Sequence, residues 1–506
     1  MSALSNAVAQ NRMSTVVGYT LAASITALLN GNLPQRIAIL GEVNTANQAS
    51  YPTTPTLITS ANQAGTLYGF GSPIHMVCRI LLPLQGGGTN APVWVYPQAA
   101  ASGSVARVQT ITVTGPATAG GTHYVKVAGR NNIDGATYSV NVVSGDTATI
   151  VAGKIKDSIN AVTASPVTAT SSAGVVTVTA KWAGLSSESI SLSIDTSLAA
   201  NIGLSYVIAE TVAGSGTPAV TTSLNLFGGI WNTIVINCYG TVSATLTELE
   251  TFNGVPGLDT STGRYVGTNF KPFIALTGST ADDPSSVTSG RNTQVTAAIC
   301  PAPLSPGMQF EAAANMAVLF SNVCINDPSE DVMELTYPDM PMPAITAVPS
   351  MQDYNFRDTI VKLGCSTVAI ENGVYTVKDF VTTFNDGTQA PPFQYCRNLD
   401  IDWNIEYGDR QIALENIIGY TICADNDVVS ASKTSRPKQV KALYGEYFDE
   451  LTDRGLIANP AFSKKNLQVG INQSNPGRID KQYPYQRTST ARIASTTALS
   501  GFYYGN

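Results

Sequence analysis

The sequence predicts a mixed α/β (α+β) protein with a discontinuous α/β core, an inserted β-rich domain and extended amino- and carboxy-terminal arms. Three observations carry this. From Trp231 to Ser279, an uncharged apolar run (WNTIVINCY) is followed by Val242, Leu246, Leu249 and Phe252 at helical spacing, and then by a second strand-like run (GRYVGTNFKPFIALTGS). Strand, amphipathic helix, strand is the pattern of a buried parallel sheet covered by helices. A run of the same kind, QRIAILGE at 35–42, stands almost two hundred residues earlier, and residues of a different texture separate the two. Finally, the chain ends in a stretch with β-branched and aromatic residues but few core positions.

Taken in order, residues 1–32 are small and polar with two weakly apolar stretches, and read either as a frayed terminus or as an amino-terminal arm that orders on a partner. Residues 33–100 open the core. QRIAILGE is a strand, and Ser72-Pro73 starts a helix, with Pro at its first position. Ile74, Val77, Cys78, Leu81 and Leu82 form that helix's apolar stripe, the glycines at 86–88 end it, and PVWVYP (92–97) is a second buried strand. Residues 101–217 alternate with period two between Gly-rich turns (ITVTG, HYVKVAG, TYSVNVV, VVTVTAKW), which marks antiparallel structure. One helix is expected there, at about 147–162. The segment reads as a small self-contained module whose ends lie close together.

Residues 218–350 return to the core, with a strand at 293–300, a helix at 310–324 and a proline-rich edge at 337–350. Residues 351–487 form a carboxy-terminal domain. In CRNLDIDWNIEYG, Leu399, Ile401, Trp403 and Ile405 alternate with Asp400, Asp402, Asn404 and Glu406, which predicts a half-buried strand. A helix starts near Pro437, and NLQVGIN and RIDKQYPYQ are two strands joined by SNPG. Residues 488–506 form the carboxy-terminal arm. A sticky unpaired strand is something natural proteins avoid, unless it adds to a sheet of another subunit.

Composition supports a surface covered by other subunits. Of 506 residues only 12% are charged, against about 25% in an average soluble protein. An ordinary β-rich protein with a Thr/Ser surface would also show this. Lys+Arg number 28 and Asp+Glu 35, a net charge of −7, so neither nucleic acid nor an anionic membrane is an expected partner. The seven cysteines include no C-x-x-C pair and read as buried free thiols in a protein made in a reducing compartment. No signal-peptide layout opens the chain and no apolar run is long enough to span a bilayer, so synthesis in the cytosol without membrane insertion is expected.

No catalytic constellation is found and no cofactor or metal is expected. Phosphate-loop, HExxH and GxSxG patterns are absent. Gly69-Phe70-Gly71 begins like a dinucleotide-binding turn but lacks the last Gly and a preceding strand. His75 and His123 have no ligand at zinc spacing. Asp400, Asp402 and Glu406 are most simply the solvated face of a strand, and Asp282-Asp283 a loop or cap. Lys433, Arg436, Lys438 and Lys441 cluster at the start of the 437–455 helix. Positive charge there opposes the helix dipole and hints at an external anionic partner, although a solvated face explains it equally.

Several stretches together resemble the tail sheath proteins of contractile-tailed bacteriophages, in particular those of Mu-like phages. They are LPQRIAILGE, ANQAGTLYGFGSPIHMVCRILLP, PVWVYP, WNTIVINCYG, GRYVGTNFKPFIALTG, RPKQVKALYGEY and SNPGRIDKQYPYQRTSTARIASTTALSGFYYG. The resemblance implies a discontinuous α/β sheath core with an outward-facing insert. It implies a structural subunit, not an enzyme, in a virion tail assembled in the host bacterial cytoplasm. The partners it implies are further copies of the chain, in a six-start helical cylinder joined by terminal arms, together with the tail tube, baseplate and tail terminator proteins. Contraction would drive the tube through the host envelope. The arms map to about 1–20 and 488–506, with Ile493, Ala494, Ser495, Phe502, Tyr503 and Tyr504 as strand-exchange candidates and 466–474 and 478–486 as receiving strands. Lys433, Arg436, Lys438 and Lys441 are the tube-contact candidates. The competing expectations are another virion component (tail tube, baseplate or capsid) and a glycan-binding adhesion protein acting through the insert.

Overall fold

The computed structural model describes residues 31–389 and 391–502; most of the expected amino-terminal arm therefore lies outside the described residues. In chain order the elements are β1 (Ile37–Glu42), β2 (Thr56–Ile58), α1 (Ala61–Tyr68), α2 (Pro73–Leu81), β3 (Val93–Gln98), β4 (Val108–Thr114), β5 (Gly121–Val127), β6 (Asn132–Ile133), β7 (Ala136–Thr137), β8 (Ser139–Val142), α3 (Ala148–Ala161), β9 (Val167–Ser172), β10 (Val175–Ala180), β11 (Leu192–Asp195) and β12 (Ser205–Val212). Then come α4 (Thr221–Asn225), β13 (Ile234–Asn237), α5 (Ser243–Asn253), β14 (Ile274–Ser279), β15 (Ala297–Pro301), α6 (Gln309–Asn326), α7 (Tyr354–Lys362), β16 (Thr367–Glu371) and β17 (Val374–Asp379). The last group is α8 (Cys396–Asn416), β18 (Thr421–Ile422), β19 (Thr434–Ser435), α9 (Pro437–Asp453), β20 (Ile457–Ala458), α10 (Pro460–Asn466), β21 (Gln468–Ile471), β22 (Ile479–Gln482) and β23 (Gln486–Arg487).

Six strands form the central sheet in the order β15-β14-β13-β1-β3-β2. All neighbours are parallel except the edge pair β2–β3. Alternate residues of each strand feed two apolar layers, as the pleat requires. Ile37, Ile39, Ile234, Ile236, Ile274 and Leu276 join the layer that holds residues of α2 and α6, while Ala38, Leu40, Val235 and Ala275 join Leu224, Phe227, Leu246 and Leu249 of the α4–α5 layer. Helix α2 starts as its sequence predicts: the Ser72 side chain accepts from the His75 amide and Pro73 occupies the first turn. Gly278 lets α6 lie directly on the sheet, since a Cβ there would meet the Gln309 carbonyl oxygen at 1.7 Å.

Between β3 and β13 the chain builds two further sheets, β12-β4-β10-β9 and β11-β5-β8, with α3 packed on the first. The ends of this segment meet: Val105 and Ser215 exchange two backbone hydrogen bonds of 2.9 and 3.0 Å. It does not pack as a separate unit. One apolar cluster runs from Ile111, Ile155 and Trp182 into the α2–α6 layer, Trp182 lies edge-on to Phe310 at 6.4 Å, and a Cβ on Gly71 would strike the Ser165 carbonyl oxygen at 2.1 Å. Gly69-Phe70-Gly71 is thus a tight turn joining α1 to α2, with both glycines at positive φ, and serves close packing.

The expected strand over Leu399–Ile405 is overturned: those residues lie in α8, a helix of 21 residues. Leu399 and Trp403 (i, i+4) face the main core, whereas Ile401 and Ile405, also i, i+4, face a second cluster with Tyr444, Tyr447 and Phe448 of α9. A helix buried on two opposite sides places apolar residues at every second position and imitates a strand. The expectation that Asp400, Asp402 and Glu406 form a solvated face fails with it: Asp400 is 1% exposed, and Asp402 and Glu406 are half-buried. Helices α8 and α9 cross closely at Gly408, where a Cβ would meet the Tyr447 hydroxyl at 2.4 Å.

Candidate assembly interface

The last strands are strapped onto α8 by alternate side chains. Lys481 Nζ lies 2.7 Å from both oxygens of Asp409, and the Tyr444 and Tyr483 hydroxyls donate to the same carboxylate at 2.7 and 3.1 Å. Tyr485 donates to Asp402 at 2.8 Å, and Arg487 grips Asp402 through Nε and Nη2 at 2.6 and 2.8 Å. Asp402 and Asp409 are seven residues apart, about 10 Å along the helix. Residues 481, 483, 485 and 487 alternate along the segment that runs from β22 to β23, and each is part-buried, with exposed residues between them. The segment is seated on α8 at two points, Asp409 and Asp402.

The chain is held for a few residues more. Arg397 donates to the Thr488 carbonyl and hydroxyl, each at 2.9 Å. Arg492 pairs with Asp331, reaches Asp379 at 3.5 Å, and lies 3.8 Å over the Tyr395 ring. Beyond Arg492 the described residues stand in solvent: Ile493, Ala494 and Ser495 are exposed, and Leu499 and Phe502 are 94% and 88% exposed. Tyr503 and Tyr504 lie outside the described residues. No described residue after Arg487 joins a strand. Strands β21 and β22 pair only with each other, a two-stranded ribbon that is marginal by itself and has open edges.

The basic set divides. Lys433, Lys438 and Lys441 are exposed. Arg436 instead ties down the preceding loop, donating to the Ala424 and Asp425 carbonyls at 3.1 and 3.2 Å. The Asp425 side chain accepts from the Lys438 amide at 2.9 Å. A carboxylate therefore already caps this helix start, and the dipole argument for an external anion loses its force.

The other candidates are structural. His75 Nδ1 accepts from the Gly71 amide at 3.0 Å, and burial pushes the ring's pKa down to about 4. His123 Nε2 donates to the Ala199 carbonyl at 2.9 Å, which leaves Nδ1 to accept from the Tyr206 hydroxyl at 2.6 Å. The three acids of α8 part company. Asp400, whose pKa burial raises to about 7, accepts from Gln35 and Asn404, each at 3.1 Å. Asp402 takes Arg487, and Glu406, raised by burial to about 7, keeps one buried oxygen without a partner. Asp282 accepts from the Ser350 amide at 2.8 Å, pinning the proline-rich segment to the core. No group of three or more potential metal ligands occurs among the described residues, nor any helix there long and apolar enough to cross a membrane. The seven cysteines are buried free thiols.

Sequence reasoning missed Asp409 and Arg492, because nothing local marks their partners 72 and 161 residues away. It also missed the β16–β17 hairpin, which had a signal: Asn372-Gly373, both at positive φ, between apolar runs.

A mixed α/β core, a terminal segment strapped to α8 and a tail that exposes hydrophobic side chains after Arg492 define an α/β protein with a carboxy-terminal extension. The comparisons give that class its particular relatives. No protein-family model matches the chain. It is 24% identical over 429 residues, 83% of each chain, to the Mu-like prophage FluMu tail sheath protein of Haemophilus influenzae. Similar solved structures are a sheath tail protein from Desulfitobacterium hafniense (12% identity, 94% of this chain and 100% of that one, TM-score 0.45) and the sheath complex of an extracellular contractile injection system in its contracted state (9%, 97% and 98%, TM-score 0.42). The chain thus resembles the tail sheath proteins of Mu-like phages along most of its length.

Proposed function

We propose that the chain is the structural subunit of a contractile phage tail sheath, and not an enzyme. The observation that carries this reading is the alignment to a tail sheath protein over 83% of both chains. Copies of the chain polymerise as a helical cylinder around the tail tube in the virion. Contraction into a shorter, wider array drives the tube onward. The energy is stored at assembly, so no nucleotide or cofactor takes part, and the arms act as hinges between rigid cores.

Within this reading, the described tail from Ile493 to Phe502 is the carboxy-terminal arm that adds to a neighbour's β21–β22 ribbon. Its bare hydrophobics and the ribbon's open edges support this. Residues 101–217 form the outer insert on a 33–100 and 218–350 core. Exposed Lys433, Lys438 and Lys441 face the tube, and the baseplate and terminator proteins bound the cylinder. Assembly takes place in the host cytoplasm.

The test is electron microscopy of the purified protein, intact and cut after Arg492. Hollow cylinders from the intact chain, with a folded but non-polymerising truncation, are expected. Persistent monomers or closed shells from the intact chain would sink the reading.

A further inference from the structure

A groove of about 510 Å³ opens between α8, the loops around Pro256 and Phe270, and the link between β22 and β23 that carries Tyr483. Its walls include Pro256, Phe270, Phe393, Trp403 and Tyr483. The charged groups at its edge are already engaged: Asp409 holds Lys481, and Asp402 holds Arg487. What remains is an aromatic-walled hollow whose lining residues include three with a buried polar atom lacking a partner: a Glu406 oxygen, the Tyr265 hydroxyl and Trp403 Nε1. A hollow of this chemistry favours an apolar occupant that also brings hydrogen-bonding groups.

The same chain carries a segment of matching chemistry. Residues 493–506 (IASTTALSGFYYGN) contain no charged side chain and include aromatics at 502–504. Phe502 is 88% exposed. From Arg492, the last held residue, ten extended residues reach about 33 Å. Among the described residues, 493–502 do not line the groove in the single chain. Its root is fastened to Asp331, Asp379 and Tyr395.

We propose that this groove receives the Phe502 end of the carboxy-terminal arm of a second copy of the chain, as the anchor that fixes the arm in register. This deepens the arm reading above and rests on it. Strand addition by itself tolerates a slip along the ribbon, because backbone hydrogen bonds repeat. A single aromatic anchor in a preformed hollow removes that freedom, as buried aromatic side chains do at interface centres. A raised pKa keeps Glu406 substantially protonated near neutrality, which leaves the hollow without a full charge.

The experiment uses two single-cysteine chains, Pro256→Cys and Phe502→Cys, co-assembled and treated with a short bismaleimide; the seven native thiols are buried. A cross-linked heterodimer is expected, and it can arise only between copies. Phe502→Ala should raise the protein concentration needed for assembly at least tenfold, and Phe502→Trp should restore it. No heterodimer in cylinders, assembly of Phe502→Ala at the wild-type concentration, or closure within one chain of a Pro256→Cys/Phe502→Cys variant would each overturn the groove proposal. If the chain cut after Arg492 still loses assembly, the arm reading survives that failure. Cylinders from the cut chain would overturn both.

Discussion

Arg130 Nη1 lies 2.8 Å from the carboxylate of Glu311, whose side chain is fully buried. Arg130 belongs to the segment between β3 and β13, and Glu311 to the first turn of α6, where it also accepts from the Met308 amide at 2.9 Å. Burial raises the Glu311 pKa and the Arg130 charge opposes that rise. The pair ties the insert to the helix that lies on the central sheet.

Arg130→Ala should therefore destabilise the whole protein by about 3–5 kcal/mol, because it strands a buried carboxylate. Thermal melts at pH 8 should show the full loss, melts at pH 5 a smaller one as Glu311 takes up a proton, and Glu311→Gln should recover part of it. An unchanged melting temperature would mean the insert is not welded through this pair.

Glu42, 1% exposed at the end of β1, accepts from the Ser186 hydroxyl, and burial lifts its pKa from 4.5 to about 8. Its folded pKa lies above the unfolded value, so the folded state holds a proton that the unfolded state has lost between about pH 4.5 and 8. The contribution of this group to stability is complete below that window and falls as pH rises through it, at no more than about 1.4 kcal/mol per pH unit. Glu42→Gln should match the wild type near pH 5 and exceed it above pH 8. A stability difference that does not vary with pH would show that Glu42 is ionised throughout.

Arg487→Ala should free the terminal strand and leave the core folded. A local cost of about 1–3 kcal/mol follows from leaving half-buried Asp402 with only Tyr485 as partner. Hydrogen exchange at 481–488 should speed up while β1 and β13 stay protected, and Asp402→Asn in the same chain should restore part of the protection. Unchanged exchange at 481–488 would mean that Lys481 and Tyr483 on Asp409 hold the strand without help.

Reversing the exposed charges with Lys433→Glu, Lys438→Glu and Lys441→Glu should change stability by no more than about 0.5 kcal/mol per site. Cylinders should still form, but retention of an acidic tube in co-sedimentation should drop, most clearly at low salt. Wild-type retention would remove these lysines from the tube contact. Arg436 is left out because it binds its own loop.

The parallel sheet was legible because β1, β13 and β14 are buried on both faces and read as unbroken apolar runs, and α2 because its cap and proline are local. Helix α8 was not: its two apolar faces answer to two different cores, and only the packing partners reveal that. The two-stranded hairpin β16–β17 could have been found from Asn372-Gly373.

Sequence alone determined the elements whose signal is local: the strand–helix–strand core, the alternating insert with its single helix, the two strands after 466 and a tail with few core positions. Tertiary structure decided what depends on residues far apart. It decided that the insert shares the main core, that α8 is a helix, and that Asp402 and Asp409 seat the last strand. It also decided that the chain is held as far as Arg492, five residues beyond the boundary expected at 487. Periodicity reports which face of an element is buried, but a buried ion pair depends on which chain segment lies opposite, and one segment's pattern carries no record of that.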